Sequence, residues 1–150
     1  MLVIETTSEQ ETIGAGERFA HELKPGDVVA LIGDLGSGKT RFAQGISRGL
    51  GVKEHVTSPT FTILHEYTDG RLPVYHFDFY RMRSPRELDE FGFDEYIDGD
   101  GVCLLEWADM VEERLPSRRY EVRCALGEAE THRTISIATP AEIAMDLTRD

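Results

Sequence analysis

One run of eight residues constrains the fold of this chain more than any other feature. It matches the phosphate-binding pattern G-x-x-x-x-G-K-[ST] at every fixed position, and it consists of Gly33, Asp34, Leu35, Gly36, Ser37, Gly38, Lys39 and Thr40. A continuous apolar stretch, 27–32, precedes the run, and a stretch with apolar residues at helical spacing, 40–50, follows it. This order predicts a phosphate-binding loop (P-loop) between a buried parallel strand and a helix.

The residue types in this loop suit a nucleoside triphosphate bound with Mg²⁺. The glycines let successive backbone N–H groups turn toward the β-phosphate, and Lys39 can place its charge between the β- and γ-phosphates. The Thr40 hydroxyl can ligate Mg²⁺, while the helix offers its positive N-terminal end and Arg41 adds a further charge. The sequence has no Asn-Lys-x-Asp guanine-reading motif, which favours ATP over GTP.

Hydrolysis also needs a carboxylate near Mg²⁺ and a group that orients the attacking water. Asp78 and Glu106 each end an apolar strand, where α/β folds place their ligands. We predict that Asp78 serves Mg²⁺, and that Glu106 orients or activates water or completes the metal shell. Two alternatives stay open: Asp78 could bond a backbone turn or Arg81, and Glu106 could cap a following helix.

Three further residues could belong either to the site or to the surrounding structure. Thr60 follows the P-loop helix in a polar segment whose hydroxyls could reach phosphate or Mg²⁺, although the segment could be a plain loop. Trp107, the sole tryptophan, lies either beside the nucleotide or in the core. His76 alternates with buried residues and is interpreted as a core histidine with a hydrogen-bond partner.

The rest of the chain predicts alternating helices and strands, followed by antiparallel strands. The predicted helices are 7–23, 84–91 and 107–115, and the predicted strands are 61–67, 72–80, 101–106, 120–126 and 132–138. Residues 140–150 are either a terminal helix or a frayed tail. We therefore predict an α/β fold in a single P-loop NTPase domain over residues 1–150, with a mixed, largely parallel sheet flanked by helices and antiparallel strands.

Composition narrows the possible partners. The formal net charge of −12 opposes direct binding to nucleic acid, which depends on Lys and Arg contacts to phosphates. The N-terminus lacks the basic region and apolar core of a signal peptide, and no apolar run is long enough to cross a membrane. Cys103 and Cys124 stand in apolar stretches and are predicted to be buried, reduced thiols, so we expect a cytoplasmic protein.

Four blocks resemble the TsaE (YjeE) family of small bacterial P-loop ATPases, which are needed for threonylcarbamoyladenosine modification of tRNA. In order, the blocks are 33–40, Ser58-Pro59-Thr60-Phe61, His76-Phe77-Asp78-Phe79-Tyr80-Arg81 and Leu105-Glu106-Trp107. The chain departs from the family at Ser37, where Ala is frequent, and at Arg41, where a second Thr or Ser is frequent.

The resemblance implies Mg²⁺-dependent ATP binding and slow ATP hydrolysis by the protein alone. It also implies that the chain associates with the TsaB and TsaD subunits and that ATP turnover resets this complex between catalytic cycles. The chain would then contact tRNA only through those partners. By motif, Lys39 binds phosphate, Thr40 and Asp78 serve Mg²⁺, and Glu106 supports hydrolysis. Thr60 then lies in a switch-like loop, and Trp107 lies beside the nucleotide or the partner surface.

Two other functions use the same loop. A small-molecule kinase would need an arginine-bearing lid, for which the sequence offers only the short cluster Arg81, Arg83 and Arg86. A nucleotide-dependent interaction module would bind ATP without hydrolysing it.

Overall fold

A computed structural model describes residues 1–56 and 63–147 of the chain. In these segments one sheet has seven strands, Leu2–Thr6 (β1), Val28–Ile32 (β2), Leu64–Tyr67 (β3), Val74–Asp78 (β4), Val102–Glu106 (β5), Tyr120–Leu126 (β6) and Arg133–Ala138 (β7). The α-helices are Glu9–Ala20 (α1), Lys39–Gly49 (α2), Glu87–Phe91 (α3), Phe93–Ile97 (α4) and Pro140–Leu147 (α5), and a 3₁₀ helix covers Ala108–Arg114. None of the helices in these segments is long and apolar enough to cross a membrane.

The sheet is parallel at its centre and antiparallel at both edges. Its strand order is β1-β7-β6-β2-β5-β4-β3, and the four strands from β6 to β4 pair in parallel. The outer pairs, which involve β1, β7 and β3, are antiparallel. The predicted mixed α/β sheet is therefore confirmed, and the carboxyl ends of β2, β5 and β4 meet at one edge.

The core has two layers because strand side chains alternate between the two faces of the sheet. On β2, Val29 and Leu31 face a layer completed by α1 and α2, where Phe42 is fully buried. Val28 and Ala30 face the other layer, which holds α3, α4 and the 3₁₀ helix. Covering helices on both faces explain why β2 is apolar throughout.

Several helix boundaries differ from their predictions. The first helix covers Glu9–Ala20 instead of 7–23. Of Thr7 and Ser8, the two caps that the sequence offers, Ser8 is the one found, and its side chain accepts the Glu11 N–H at 3.1 Å. At the other end, residues 21–23 form i→i−3 turn bonds instead of continuing the helix. The helix predicted over 84–91 begins at Glu87, after a turn in which that carboxylate accepts the Ser84 N–H. The segment predicted as helical over 107–115 is the 3₁₀ helix.

Differences among the strands occur mostly at the ends of the chain and of the predicted runs. No strand was predicted at the N-terminus, but β1 pairs with β7. The predicted strand 72–80 is shorter, at Val74–Asp78. The strand predicted over 61–67 is confirmed for Leu64–Tyr67, but Ile63 lies in a bend, and 61–62 lie outside the described residues. The hairpin of β6 and β7 is confirmed, and of the alternatives for 140–150 the helix is found over Pro140–Leu147.

Candidate functional site

The glycine-rich run forms the turn from β2 into α2, as the sequence predicted. Gly38 precedes α2 with φ 104°, a left-handed conformation that favours glycine. At Gly33 a Cβ atom would lie 2.3 Å from the Cys124 carbonyl oxygen, so the loop starts where only glycine fits against β6. The Ser37 hydroxyl is buried beside Gly33, which agrees with a side chain turned away from the phosphate side.

Lys39 lies buried under the loop, with 4 % of its surface exposed. Its Nζ donates to the carbonyl oxygens of Gly33 at 2.5 Å and Asp34 at 2.8 Å. Burial lowers the pKa of Lys39, and the nearby Glu106 carboxylate opposes that shift. The ammonium group is thus held at the loop by carbonyl groups that a phosphate oxygen could replace as its partners.

Both predicted carboxylates lie at the edge where the parallel strands end. Glu106 pairs in register with Leu31 of β2 on one side and with Asp78 of β4 on the other. Glu106 Oε1 accepts the Thr40 hydroxyl at 2.9 Å, and its Oε2 lies 2.5 Å from His76 Nε2. These contacts tie Glu106 to the first turn of α2 instead of to the following helix as a cap.

Asp78 has a structural contact as well as a place in the site. Its Oδ1 accepts the Tyr80 N–H at 3.0 Å, which is the turn contact raised as an alternative from the sequence. The same residue lines the cleft above the loop together with Thr40 and Glu106. The structure therefore confirms the turn contact and places Asp78 at the cleft, while its role toward Mg²⁺ stays a prediction.

Trp107 faces the cleft and is also half-buried against the core layer that holds α3 and α4. The centroid of its ring lies 4.0 Å from Lys39 Nζ, and the Tyr80 ring packs against it at a centroid distance of 4.7 Å. Its φ of 59° makes it the one non-glycine residue with positive φ within 1–56 and 63–147. A bulky residue in this conformation is strained, and such strain concentrates at functional sites.

A cleft of about 510 Å³ opens over these groups. It brings together nine predicted site residues, namely Leu35, Gly36, Gly38, Lys39, Thr40, Arg41, Asp78, Glu106 and Trp107. Gly33, Asp34 and Ser37 belong to the loop but are not among the residues that line the cleft. Thr60 lies outside the described residues.

Six residues that the sequence analysis did not select complete the lining of the cleft, namely Glu9, Thr12, Tyr80, Glu130, Thr131 and Arg133. They come from the start of α1, the turn after β4 and the β6–β7 hairpin, so their approach to the loop depends on the sheet order. The sequence could have indicated Tyr80 as a site residue, since it belongs to the aromatic block around Asp78. No sequence pattern indicated the other five residues.

The two arginines in the cleft are engaged with neighbouring groups. Arg41 Nε lies 3.6 Å from a Glu9 carboxylate oxygen, and Arg41 also donates to Gln44 at 3.1 Å. Arg133 donates to the backbone carbonyls of Glu130 at 2.6 Å and His132 at 2.7 Å. Arg81, Arg83 and Arg86 are exposed and do not line this cleft.

The oxygen-bearing side chains at the start of α2 and at the ends of β4 and β5 fit Mg²⁺. The Thr40 hydroxyl and the carboxylates of Asp78 and Glu106 are hard ligands of the kind this ion takes. Among the described residues, no group of three or more His, Cys, Asp or Glu side chains could hold a metal by itself. In proteins Mg²⁺ is commonly held by one or two carboxylates together with substrate phosphates.

Comparison with known proteins relates the chain to one family. The family model described as "Threonylcarbamoyl adenosine biosynthesis protein TsaE" matches residues 6–135. The chain is 50 % identical over 117 residues to the tRNA threonylcarbamoyladenosine biosynthesis protein TsaE of Bacillus subtilis, covering 78 % of this chain and 73 % of that protein. It is 42 % identical over 132 residues to the protein of the same name from Treponema pallidum, covering 87 % and 96 %.

A solved structure has the same fold. The crystal structure of Bacillus subtilis YdiB superposes with a TM-score of 0.81 at 39 % identity, covering 99 % of this chain and 94 % of the other. Together with the sequence matches, which span most of the chain, this similarity leads to one conclusion: the chain belongs to the TsaE family of threonylcarbamoyl adenosine biosynthesis proteins.

Proposed function

We propose that this chain binds ATP with Mg²⁺ in the cleft above the P-loop and hydrolyses the nucleotide. The observation that carries the proposal is the convergence of Lys39, Thr40, Asp78 and Glu106 on this cleft. A cation, a hydroxyl and two carboxylates at the ends of parallel strands are the groups that nucleotide hydrolysis requires.

Each group has a task that follows from its position. Lys39 leaves its carbonyl partners to bind phosphate oxygens, and the loop amides and the start of α2 bind the same anion. The Thr40 oxygen keeps lone pairs for Mg²⁺ while its proton remains on the bond to Glu106. When bound, the ion supplies charge neutralisation at the phosphates. Glu106, whose Oε1 accepts the Thr40 hydroxyl at the first turn of α2, orients the attacking water.

Hydrolysis by the chain alone is expected to be slow. Among the described residues that line the cleft, Arg41 and Arg133 already have partners and would have to leave them to act on a phosphate. A phosphoryl-transfer site gains orders of magnitude in rate when a partner supplies an arginine in trans. We therefore place full activity in a complex.

We propose that the partners are the TsaB and TsaD subunits of the tRNA threonylcarbamoyl transferase. In this proposal ATP turnover resets the complex between catalytic cycles and takes no part in the transfer chemistry. The formal net charge of −12 supports a role in which the partners bind the tRNA. The names of the relatives place those proteins in threonylcarbamoyladenosine biosynthesis, which supports the same assignment.

The decisive experiment measures ATP hydrolysis by the chain alone and then with TsaB and TsaD. We expect a slow rate that rises sharply with the partners, and a complex that elutes as one species on a sizing column. Glu106→Gln and Asp78→Ala should lose turnover while still binding ATP, which separates an ATPase from a binding module. A rate unchanged by the partners, with no complex formed, would contradict the proposal, as would clear phosphotransfer to nucleosides or sugars.

A further inference from the structure

His76 lies on β4, with none of its surface exposed. Its Nε2 lies 2.5 Å from Glu106 Oε2, and because a carboxylate accepts, Nε2 is the donor. The other ring nitrogen, Nδ1, is buried and has no hydrogen-bond partner within 1–56 and 63–147. The bond to Glu106 is thus the polar contact that orients this ring.

The two oxygens of Glu106 therefore have different partners. Oε2 is held from β4 by His76, and Oε1 faces α2 and accepts the Thr40 hydroxyl at 2.9 Å. Glu106 is itself 2 % exposed, so an oxygen that lost its donor could not turn to bulk water for another. His76 thereby restricts the orientation of the carboxylate.

We propose that His76 is a positioning residue that keeps Glu106 Oε1 directed at Thr40 and the P-loop. The proposal rests on the proposed function, because the orientation of Glu106 affects turnover only if the chain hydrolyses ATP. An apolar residue would fill the same space without burying an unpartnered Nδ1, so packing alone does not explain a histidine here. This role goes beyond the sequence-based interpretation of a core histidine with a partner.

Two variants distinguish the effect of the hydrogen bond that His76 Nε2 donates from the effect of the size and shape of the ring. His76→Gln keeps an N–H group near the place of Nε2, whereas His76→Leu removes the donor and retains an apolar side chain. His65 offers a matched control, because it lies in register with His76 on the neighbouring β3, where its Nδ1 is 3.2 Å from the Tyr67 hydroxyl. His65→Leu therefore changes a neighbouring histidine without touching Glu106.

With TsaB and TsaD present, we expect His76→Leu to lower kcat about tenfold to a hundredfold, the range seen when a group that orients a ligand is removed. The KM for ATP should stay within about threefold, because Lys39 and the loop amides are unchanged. His76→Gln should recover most of kcat, and His65→Leu should behave like the wild type. An undiminished kcat in His76→Leu, or an equal loss in His76→Gln, would overturn the proposal.

A measurement on the wild-type chain covers the case in which His76→Leu does not fold. A long-range ¹H–¹⁵N spectrum should show the His76 proton on Nε2, and the ring signals should move in Glu106→Gln but not in His65→Leu. A bare Nε2, or signals unmoved by Glu106→Gln, would overturn the positioning role. This readout needs no ATP turnover, so an inactive wild type would contradict the proposed function and leave the positioning role to be decided by the spectrum.

Discussion

The Lys39 ammonium group lies 4.0 Å from the centroid of the Trp107 ring while it donates to two carbonyl oxygens of the P-loop. The sole tryptophan of the chain thus contacts the side chain that the motif assigns to phosphate binding. An anion that draws Lys39 away from its carbonyl partners changes the environment of the indole. This geometry provides an intrinsic optical probe of the site.

We predict that Trp107 fluorescence changes when Mg²⁺ and ATP are added to the protein. The cause is a shift of the Lys39 charge over the ring together with the exclusion of water from the cleft. A fluorescence titration measures the effect, and Mg²⁺ without nucleotide is its control. An unchanged spectrum at saturating nucleotide, with binding shown by calorimetry, would mean that the nucleotide does not perturb the Lys39–Trp107 contact.

Lys39→Ala should weaken ATP binding and abolish turnover. Loss of a hydrogen bond to a charged group costs about 1.5–3 kcal/mol, which corresponds to roughly 10–150-fold in affinity. Calorimetric titration with ATP gives the affinity, and phosphate release gives turnover. Lys24→Ala is a matched control, because Lys24 is exposed and precedes β2, away from the P-loop. Full activity in Lys39→Ala would exclude the P-loop from the mechanism.

The two buried thiols should make the protein less stable as pH rises above about 9. Burial raises the pKa of Cys103 and of Cys124 to about 12. Because ordinary thiols ionise near pH 8.5–9, the unfolded chain loses these protons first, and stability that is complete below this pH is lost as pH rises toward 12. At pH 10 the loss is about 1.5–2 kcal/mol for each thiol.

Urea unfolding at pH 8 and pH 10 measures this loss. Cys103→Ala and Cys124→Ala should each reduce the difference in unfolding free energy between the two pH values, and the double variant should reduce it further. Equal pH dependence in the wild type and the double variant would show that other groups cause the alkaline destabilisation.

Two glycines of α1 should respond to alanine in opposite directions. A Cβ at Gly16 would lie 2.4 Å from the Phe42 carbonyl oxygen of α2, whereas at Gly14 the nearest atom is a flexible Arg18 nitrogen at 3.5 Å. Gly14→Ala should stabilise the protein by about 0.5–1 kcal/mol through helix propensity. Gly16→Ala should destabilise it by about 1–3 kcal/mol, because the two helix backbones must separate. Urea unfolding at pH 7 measures both, and a stabilised Gly16→Ala would contradict the close approach of α1 and α2.

Local patterns in the sequence were sufficient to predict the P-loop and its surroundings. Strand, loop and helix are consecutive in the chain, so apolar runs and the positions of Gly33 and Gly38 indicate them directly. Asp78 and Glu106 could also be predicted as site residues, since parallel strands end at the same edge of a sheet. The hairpin of β6 and β7 followed from alternating apolar residues around a polar turn.

The contacts between distant segments were decided only by the tertiary structure. The pairing of Glu106 with His76, the approach of Arg133 to the P-loop and the edge strand β1 all depend on the strand order β1-β7-β6-β2-β5-β4-β3. That order follows from which faces become buried together, a property of the assembled chain that periodicity within one segment does not contain. The sequence by itself determined which chemical groups are available, and packing determined which of them meet, because burial requires each buried carboxylate to find a donor on another element.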